Sequence, residues 1–283
     1  MMLLIDVGNT RSKAAWLDPV TLTRQSPALT LEDSHLANLA HYLPQPPTHI
    51  LGSNVAGPAA GQRLNQACLA TWGVSVHWCD TRAGHTLLSN PYTPPGRLGS
   101  DRWLGLLGLL QHLQADPAWQ NGHPALLASF GTATTIDTLM PPPAQVDCLP
   151  AFLGGLIFPG PSLMLHSLAQ GTAQLPLAAG HLADFPQNTH DAISSGVAAA
   201  QAGALMRQWQ LARDLAHGRP PIVFISGGGW PMVADEVRAR LAFIQHRLSL
   251  PPGPVHVLDS PVLDGLALLA SQGDTGHDAP DTP

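Results

Sequence analysis

Cysteine is scarce in this chain of 283 residues. There are three, Cys68, Cys79 and Cys148, and no Cys-x-x-Cys pair. So sparse and odd a set excludes a disulfide scaffold and a cysteine zinc site, and it suits a reducing compartment. Lysine is scarcer still: Lys13 stands alone against twelve arginines. With abundant Ala, Gly and Pro, that bias reads as genome composition rather than function. Charged residues make up only 11%, well below the usual quarter. Thirteen basic against nineteen acidic residues leave a net charge of −6, and no Lys/Arg cluster occurs. That argues against gripping a nucleic-acid backbone, which needs clustered cations. Long apolar runs are also missing. The densest, Trp103 to Leu110, is eight residues, far short of the roughly 18 a membrane span needs. The apolar start is cut by Asp6 and is too short for a signal peptide, so the expected address is the cytoplasm. Fourteen histidines form no His-x-x-x-His or His-Glu-x-x-His, and Gly-x-Ser-x-Gly is absent. A histidine metal site and a serine hydrolase are therefore unsupported.

What remains is a globular composition, 45% hydrophobic, with length for about two domains. Leu3 to Val7 is an apolar run stopped by Gly8-Asn9-Thr10, and Ser12 to Leu17 resumes until Asp18-Pro19. The spacing predicts a β-hairpin. Leu29 to Tyr42 reads as helical, His49 to Ser53 as a strand, Pro58 to Trp72 as a helix and Val74 to Cys79 as a strand. Pro91 to Leu98 reads as a loop, after which Ser100 or Asp101 caps an apolar helix to about Leu113. Asp116 to Pro124 resembles a linker. A second cycle opens at Ala125 to Phe130, turns at Gly131-Thr132 and returns along Thr134 to Leu139. Then follow a strand at Ala151 to Phe158, helices at Ser162 to Ala169 and Asp191 to Leu215, and a strand at Pro221 to Ile225. A helix at Pro231 to Leu241, a strand at Val255 to Leu258 and a helix at Pro261 to Ala270 complete it. The alternation predicts α/β layers. The two hairpin starts predict related halves facing each other across a cleft, divided as 1–116 and 117–270, with 271–283 a frayed tail.

Four segments have the makings of a site. In Asp6-Val7-Gly8-Asn9-Thr10-Arg11-Ser12-Lys13, a strand delivers Asp6 to its end and Gly8 lets the turn approach a ligand. The amides and hydroxyls of Asn9, Thr10 and Ser12 suit phosphate oxygens, Asp6 suits Mg²⁺, directly or through water, and Lys13 adds a point charge. An ordinary Asx-type turn fits the same residues. Ser129-Phe130-Gly131-Thr132-Ala133-Thr134-Thr135-Ile136-Asp137 repeats the pattern, and threonines also simply favour strands. Ser226-Gly227-Gly228-Gly229 runs from a strand into a helix, where glycines admit a flat ring or a sugar. Tyr92 to Arg102 ends in Gly99-Ser100-Asp101-Arg102. There Asp101 is either a helix-start carboxylate suited to the dipole or a base for an alcohol. Arg102 is a fork for a carboxylate or phosphate.

Taken in order, these segments resemble the type III pantothenate kinases, members of the acetate/sugar kinase, heat-shock-70 and actin superfamily. Asp6 to Lys13 matches that family's D-x-G-N-T-x-x-K, and Gly99 to Arg102, with Tyr92 upstream, its G-x-D-R. Gly131 to Asp137 matches G-T-A-x-T-x-D. Gly154 to Gly160 continuing to Thr172–Pro176, Asn188-Thr189 to Gly196, and the Ser226-Gly-Gly loop follow in order. The resemblance spans about residues 1–270. It implies two ribonuclease-H-like domains closing on ATP, usually as a homodimer with the substrate near the interface, and ATP-dependent phosphorylation of pantothenate toward coenzyme A. Carried onto this chain, Asp6 to Lys13 and Thr132 would bind ATP. Tyr92, Gly99, Ser100, Asp101, Arg102 and Thr189 would bind pantothenate, and Asp101 would accept the proton.

One position departs from the family. Two residues before Gly-Thr-Ala, where an Asp usually helps hold a monovalent cation such as potassium or ammonium, this chain has Ser129. A serine oxygen can coordinate a cation but brings no negative charge, so weak or absent potassium activation is expected. Two other readings are weighed. One is a kinase for another small hydroxylated substrate on the same fold, which the Gly99–Arg102 block disfavours. The other is a catalytically weak accessory regulator of transcription, which Asp6, Asp101 and Arg102 disfavour.

Overall fold

The computed structural model describes every residue except 19, 26, 44, 82–84, 144–145, 174, 178–179 and 274–283. Pro19 of the first strand stop, Gln174 of the Thr172–Pro176 block and most of the expected tail therefore lie outside the described residues. In chain order the strands are β1 (Met2–Val7), β2 (Ser12–Leu17), β3 (Leu29–Leu31), β4 (His49–Asn54), β5 (Val76–Trp78), β6 (Ala125–Phe130), β7 (Ala133–Met140), β8 (Ala151–Pro159), β9 (Ile222–Ser226) and β10 (Val255–Val257). The α-helices are α1 (Leu39–Tyr42), α2 (Pro58–Trp72), α3 (Ser100–Leu113), α4 (Pro117–Gln120), α5 (Pro161–Gly171), α6 (Thr189–Leu215), α7 (Trp230–Arg247) and α8 (Pro261–Gln272).

Two compact units result. The first holds Met1–Ala115, Leu149–Ala151 and the chain from Asp259 on; the second holds Asp116–Cys148 and Phe152–Leu258. Each is built on a mixed five-stranded sheet, ordered β3-β2-β1-β4-β5 in the first and β10-β9-β6-β7-β8 in the second. Read from the other edge, the second order repeats the first. In both, a hairpin of two antiparallel strands lies beside a parallel pair. This is the ribonuclease-H-like α/β arrangement, present twice.

Leu3, Leu4 and Ile5 are fully buried on β1, as expected of a central strand covered on both faces. Ten of the fourteen residues of α3 are buried, so α3 is a core helix rather than an amphipathic surface one. Its partner is α8, whose Leu263, Leu266 and Leu269 have no exposed surface. The two helices meet backbone to backbone. A side chain at Gly108 would run into the Pro261 carbonyl, and one at Gly265 into the Leu104 carbonyl.

Several expectations change. Leu29 to Tyr42 is not one helix. Leu29–Leu31 pairs with β2 as an edge strand, followed by a 3-10 turn at Asp33–Asn38 and the single helical turn of α1. The apolar spacing of Leu29 and Leu31 is two, a strand period, which a window tuned to helices overran. The cap of α3 is Gly99, with no side-chain capping bond. Ser100 and Asp101 are already helical. The last helix groups with the first unit rather than with 117–270, and Ser271 and Gln272 belong to α8 rather than to a tail. The expected linker holds a short helix instead, α4, capped by Asp116.

Candidate active site

In the first unit the sheet sets Asp6 between two neighbours. It stands opposite Lys13 on β2 and Ser53 on β4. The hairpin turns tightly enough for the Gly8 amide to donate to the Arg11 carbonyl at 3.2 Å. Asp6 Oδ1 is buried and receives no hydrogen bond. Burial first, and the nearby Asp101 second, push the Asp6 carboxyl up to about 7, against the opposing pull of Lys13. A neutral acid, or a cation beside it, is what such an environment favours.

Lys13 lies opposite this carboxylate but does not bond to it. Its ammonium donates to the Asp259 carbonyl and to Ser260 Oγ, both at 2.9 Å, and lies 3.9 Å from the Asp259 carboxylate. Arg24, almost fully buried, reaches Asp264 at 2.6 Å and Asp259 at 3.4 Å. His112 Nε2 lies 3.2 Å from the other Asp264 oxygen.

The first turn of α3 carries the second group of residues. Asp101 Oδ1 accepts from the Arg102 amide at 2.8 Å. A side chain at Gly99 would press on that same oxygen, 2.7 Å away, so glycine there leaves the carboxylate room. Arg102 is buried, and its Nη1 donates to the Tyr92 hydroxyl at 2.9 Å. Ser100 Oγ and Ser53 Oγ are 3.0 Å apart, which ties α3 to β4 next to Asp6. The structure thus brings Asp6, Asp101, Ser100, Arg102 and Tyr92 together within one unit.

In the second unit two backbone segments, the Gly227–Gly229 loop and Gly160, converge on the β6–β7 turn. The Gly229 amide donates to the Phe130 carbonyl at 2.8 Å, and the Gly160 amide to the Thr132 carbonyl at 2.9 Å. Gly227, at φ +96°, lies so close to the Phe130 backbone that no side chain fits there. Thr132 is exposed at the turn. Ser129 stands opposite Thr135 and Ser226. Behind the turn, the fully buried Gln201 accepts from Thr134 Oγ1 at 2.7 Å and donates to the Pro159 carbonyl at 2.9 Å. Thr189 is the exposed first residue of α6, and Asn188 supplies the cap through the Asp191 amide. It belongs to the second unit, whereas Tyr92 and Gly99–Arg102 belong to the first.

Sequence reasoning missed Gln201, Ser53, Arg24, Asp259 and Ser260. Only the last two carried a local signal, Asp-Ser before a Pro at a helix start.

Twin five-stranded sheets with glycine-turned hairpins define a two-domain α/β protein, and a carboxylate pair beside a buried arginine gives its first unit a candidate site. Over residues 2–211 the sequence matches the type III pantothenate kinase family, and the chain belongs to it. A type III pantothenate kinase of Bordetella petrii is 48% identical over 97% of this chain and 98% of its own length. The one of Bordetella pertussis is 43% identical over 96% and 98%. Among solved structures, a Baf-family protein of Campylobacter jejuni covers 96% of this chain and 98% of its own. It does so at 18% identity with a TM-score of 0.51, a likeness of fold alone. No helix among the described residues is long and apolar enough to cross a membrane.

Proposed function

We propose that this chain transfers the γ-phosphoryl group of ATP to the hydroxyl of pantothenate, giving 4'-phosphopantothenate for coenzyme A synthesis. The observation that carries the reading is the Asp6–Asp101 pair beside the Arg102–Tyr92 contact, set in a chain whose close relatives bear the name of that activity. Asp101 accepts the hydroxyl proton, late in a loose transition state where positioning dominates. Arg102, held by Tyr92, is the partner for the pantothenate carboxylate. Gly99, Ser100 and Thr189 complete the substrate set. Val7 to Ser12 and Thr132 contact ATP phosphates, Asp6 acts through the divalent cation and Lys13 adds a point charge nearby, and the Gly227–Gly229 loop takes the adenosine.

Asp6 also fits a divalent cation, because its buried oxygen has no donor and a second carboxylate lies close by. No cluster of three His, Cys, Asp or Glu suited to a metal occurs among the described residues. Mg²⁺ takes one or two carboxylates together with waters and substrate phosphates, and Asp6 with Asp101 would offer such a pair. Bound there, Mg²⁺ would neutralise phosphate charge during transfer. The likeness to the Campylobacter jejuni protein concerns fold alone and adds nothing to the regulatory alternative.

The test is ADP release coupled to a chromogenic readout, with Mg²⁺ATP and pantothenate or a panel of other small alcohols. Turnover that depends on pantothenate is expected; equal rates on unrelated alcohols, or none on pantothenate, sink the proposal. Homodimer assembly and a cytoplasmic location accompany it.

Ser129 yields a separate expectation. With no carboxylate at that position on β6, the rate should stay flat when potassium or ammonium replaces sodium. The Ser129→Asp variant should acquire a dependence on these cations. A native enzyme that idles in sodium and turns over in potassium would overturn this.

A further inference from the structure

Directly opposed residues on antiparallel strands share one face, and a Lys opposite an Asp ordinarily pairs with it. Lys13 and Asp6 are so opposed, yet they form no hydrogen bond or ion pair among the described residues. Asp6 Oδ1 is left buried without a donor, while the Lys13 ammonium is turned to the Asp259 carbonyl and Ser260 Oγ. A long flexible ammonium beside an unpaired carboxylate would fall onto it unless something holds it elsewhere.

We infer that the Asp259–Ser260 segment is a positioning device that holds Lys13 off Asp6 and so keeps the Asp6 carboxylate open for the divalent cation of the nucleotide. The inference rests on the kinase reading above. Ser260 occupies the cap position of α8, but its hydroxyl caps nothing there and instead receives Lys13. Asp259 is itself braced: the Ala28 amide donates to it at 3.2 Å, and Arg24 lies at 3.4 Å. Arg24 is locked at 2.6 Å to Asp264, one turn into α8. That pair is almost wholly buried, where breaking one partner is far more costly than at a surface. The anchor is therefore as rigid as the α3–α8 packing behind it. Neither Asp259 nor Ser260 is proposed to touch substrate.

The test is binding of Mn²⁺ alone, read by the paramagnetic resonance of the free ion, on the full chain and on a set of variants whose folding is checked by circular dichroism. The Asp259→Asn/Ser260→Ala pair removes the hydroxyl and the nearby carboxylate charge and leaves Lys13 only the backbone carbonyl of residue 259. With its anchor so weakened, the chain should bind Mn²⁺ several-fold more weakly, up to about tenfold, the scale of one charge-assisted bond that the metal must displace. Ser260→Ala alone, which removes no cap, should move the same way by less. Adding Lys13→Met should restore Mn²⁺ binding in the chain with the weakened anchor by a larger factor than it raises binding in the native one, since Lys13 competes more strongly there. In turnover, the chain with the weakened anchor should need more Mg²⁺ for half-maximal rate at an unchanged KM for pantothenate. Unaltered Mn²⁺ binding, or equal gains from Lys13→Met in both backgrounds, overturns the inference. If the native enzyme fails to phosphorylate pantothenate, the kinase reading falls while the Mn²⁺ comparison still decides this one.

Discussion

Replacing Asp101 by Asn is expected to lower kcat with pantothenate by about 10²–10⁴-fold, the usual contribution of a positioned base. The variant should nonetheless fold. Its amide oxygen can still accept from the Arg102 amide, the one bond the carboxylate makes to the backbone, and the Arg102–Tyr92 contact is untouched. A loss mainly in kcat, with the KM for pantothenate changed far less, fits a group whose chief task is to take the proton. Steady-state rates over both substrates read this directly. A variant within a few-fold of native kcat would assign the proton to another acceptor.

Asp6→Asn is expected to split activity from stability. Turnover should collapse, because the carboxylate proposed for the metal is gone. The metal-free protein, however, should become more stable at alkaline pH. In the folded chain the Asp6 carboxyl is raised to about 7. Between the ordinary carboxylate range and that value, the folded state keeps a proton that the unfolded state has lost. Native stability therefore falls as pH rises through this window, and the cost is fully present above it. At 1.36 kcal/mol per unit the whole effect is at most about 4 kcal/mol. Asn carries no charge and escapes it, apart from the smaller cost of a buried amide. Without nucleotide or metal, the melting temperature of Asp6→Asn at pH 8 should exceed native by on the order of 5 °C. The gap should close toward pH 4, and Mg²⁺ADP should narrow it again by binding the native chain alone. Melting curves that coincide at pH 8 would show that Asp6 is not strained.

Both of these carboxylates were legible in the sequence, and the reason is local. Asp6 ends an apolar run before a Gly-Asn turn, and Asp101 opens an apolar helix after a proline-rich loop, so neighbours in the chain announce them. The duplication was legible for the same reason, since each half opens on the same strand–turn–strand pattern. The structure sharpens it. Asp6 is the fifth of the six residues of β1 and Ser129 the fifth of the six of β6, and each has a serine beside it on the parallel neighbour, Ser53 and Ser226. Ser129 is thus the counterpart, in the second sheet, of Asp6 in the first.

What stayed hidden depends on partners remote in sequence. Gln201 looks like any polar residue of a long Ala-rich helix until Thr134 and Pro159 are folded against it. Arg24 sits in a stretch without periodicity, and its partner Asp264 is 240 residues away. Chain order suggests that the last helix belongs with the second half, whereas its contacts group it with the first unit. Its true place is set by two glycines, Gly108 and Gly265, that let backbones touch, and a glycine in a helix usually signals nothing more than tolerance.

That last helix has a consequence for how the protein is made. Domains emerging from a ribosome generally fold in the order of their synthesis, but here the first unit is discontinuous in the chain. Until residues 259–272 have been translated, α3 presents Gly108 and its leucines with no α8 to cover them, and Lys13 has no Ser260 to receive it. The second unit, made in between, has all its strands and helices in hand by Leu258, whereas the first still lacks α8. Nascent chains arrested before Asp259 should therefore protect the β6–β7 hairpin from protease while leaving the β1–β2 hairpin open, so that the half begun first is finished last.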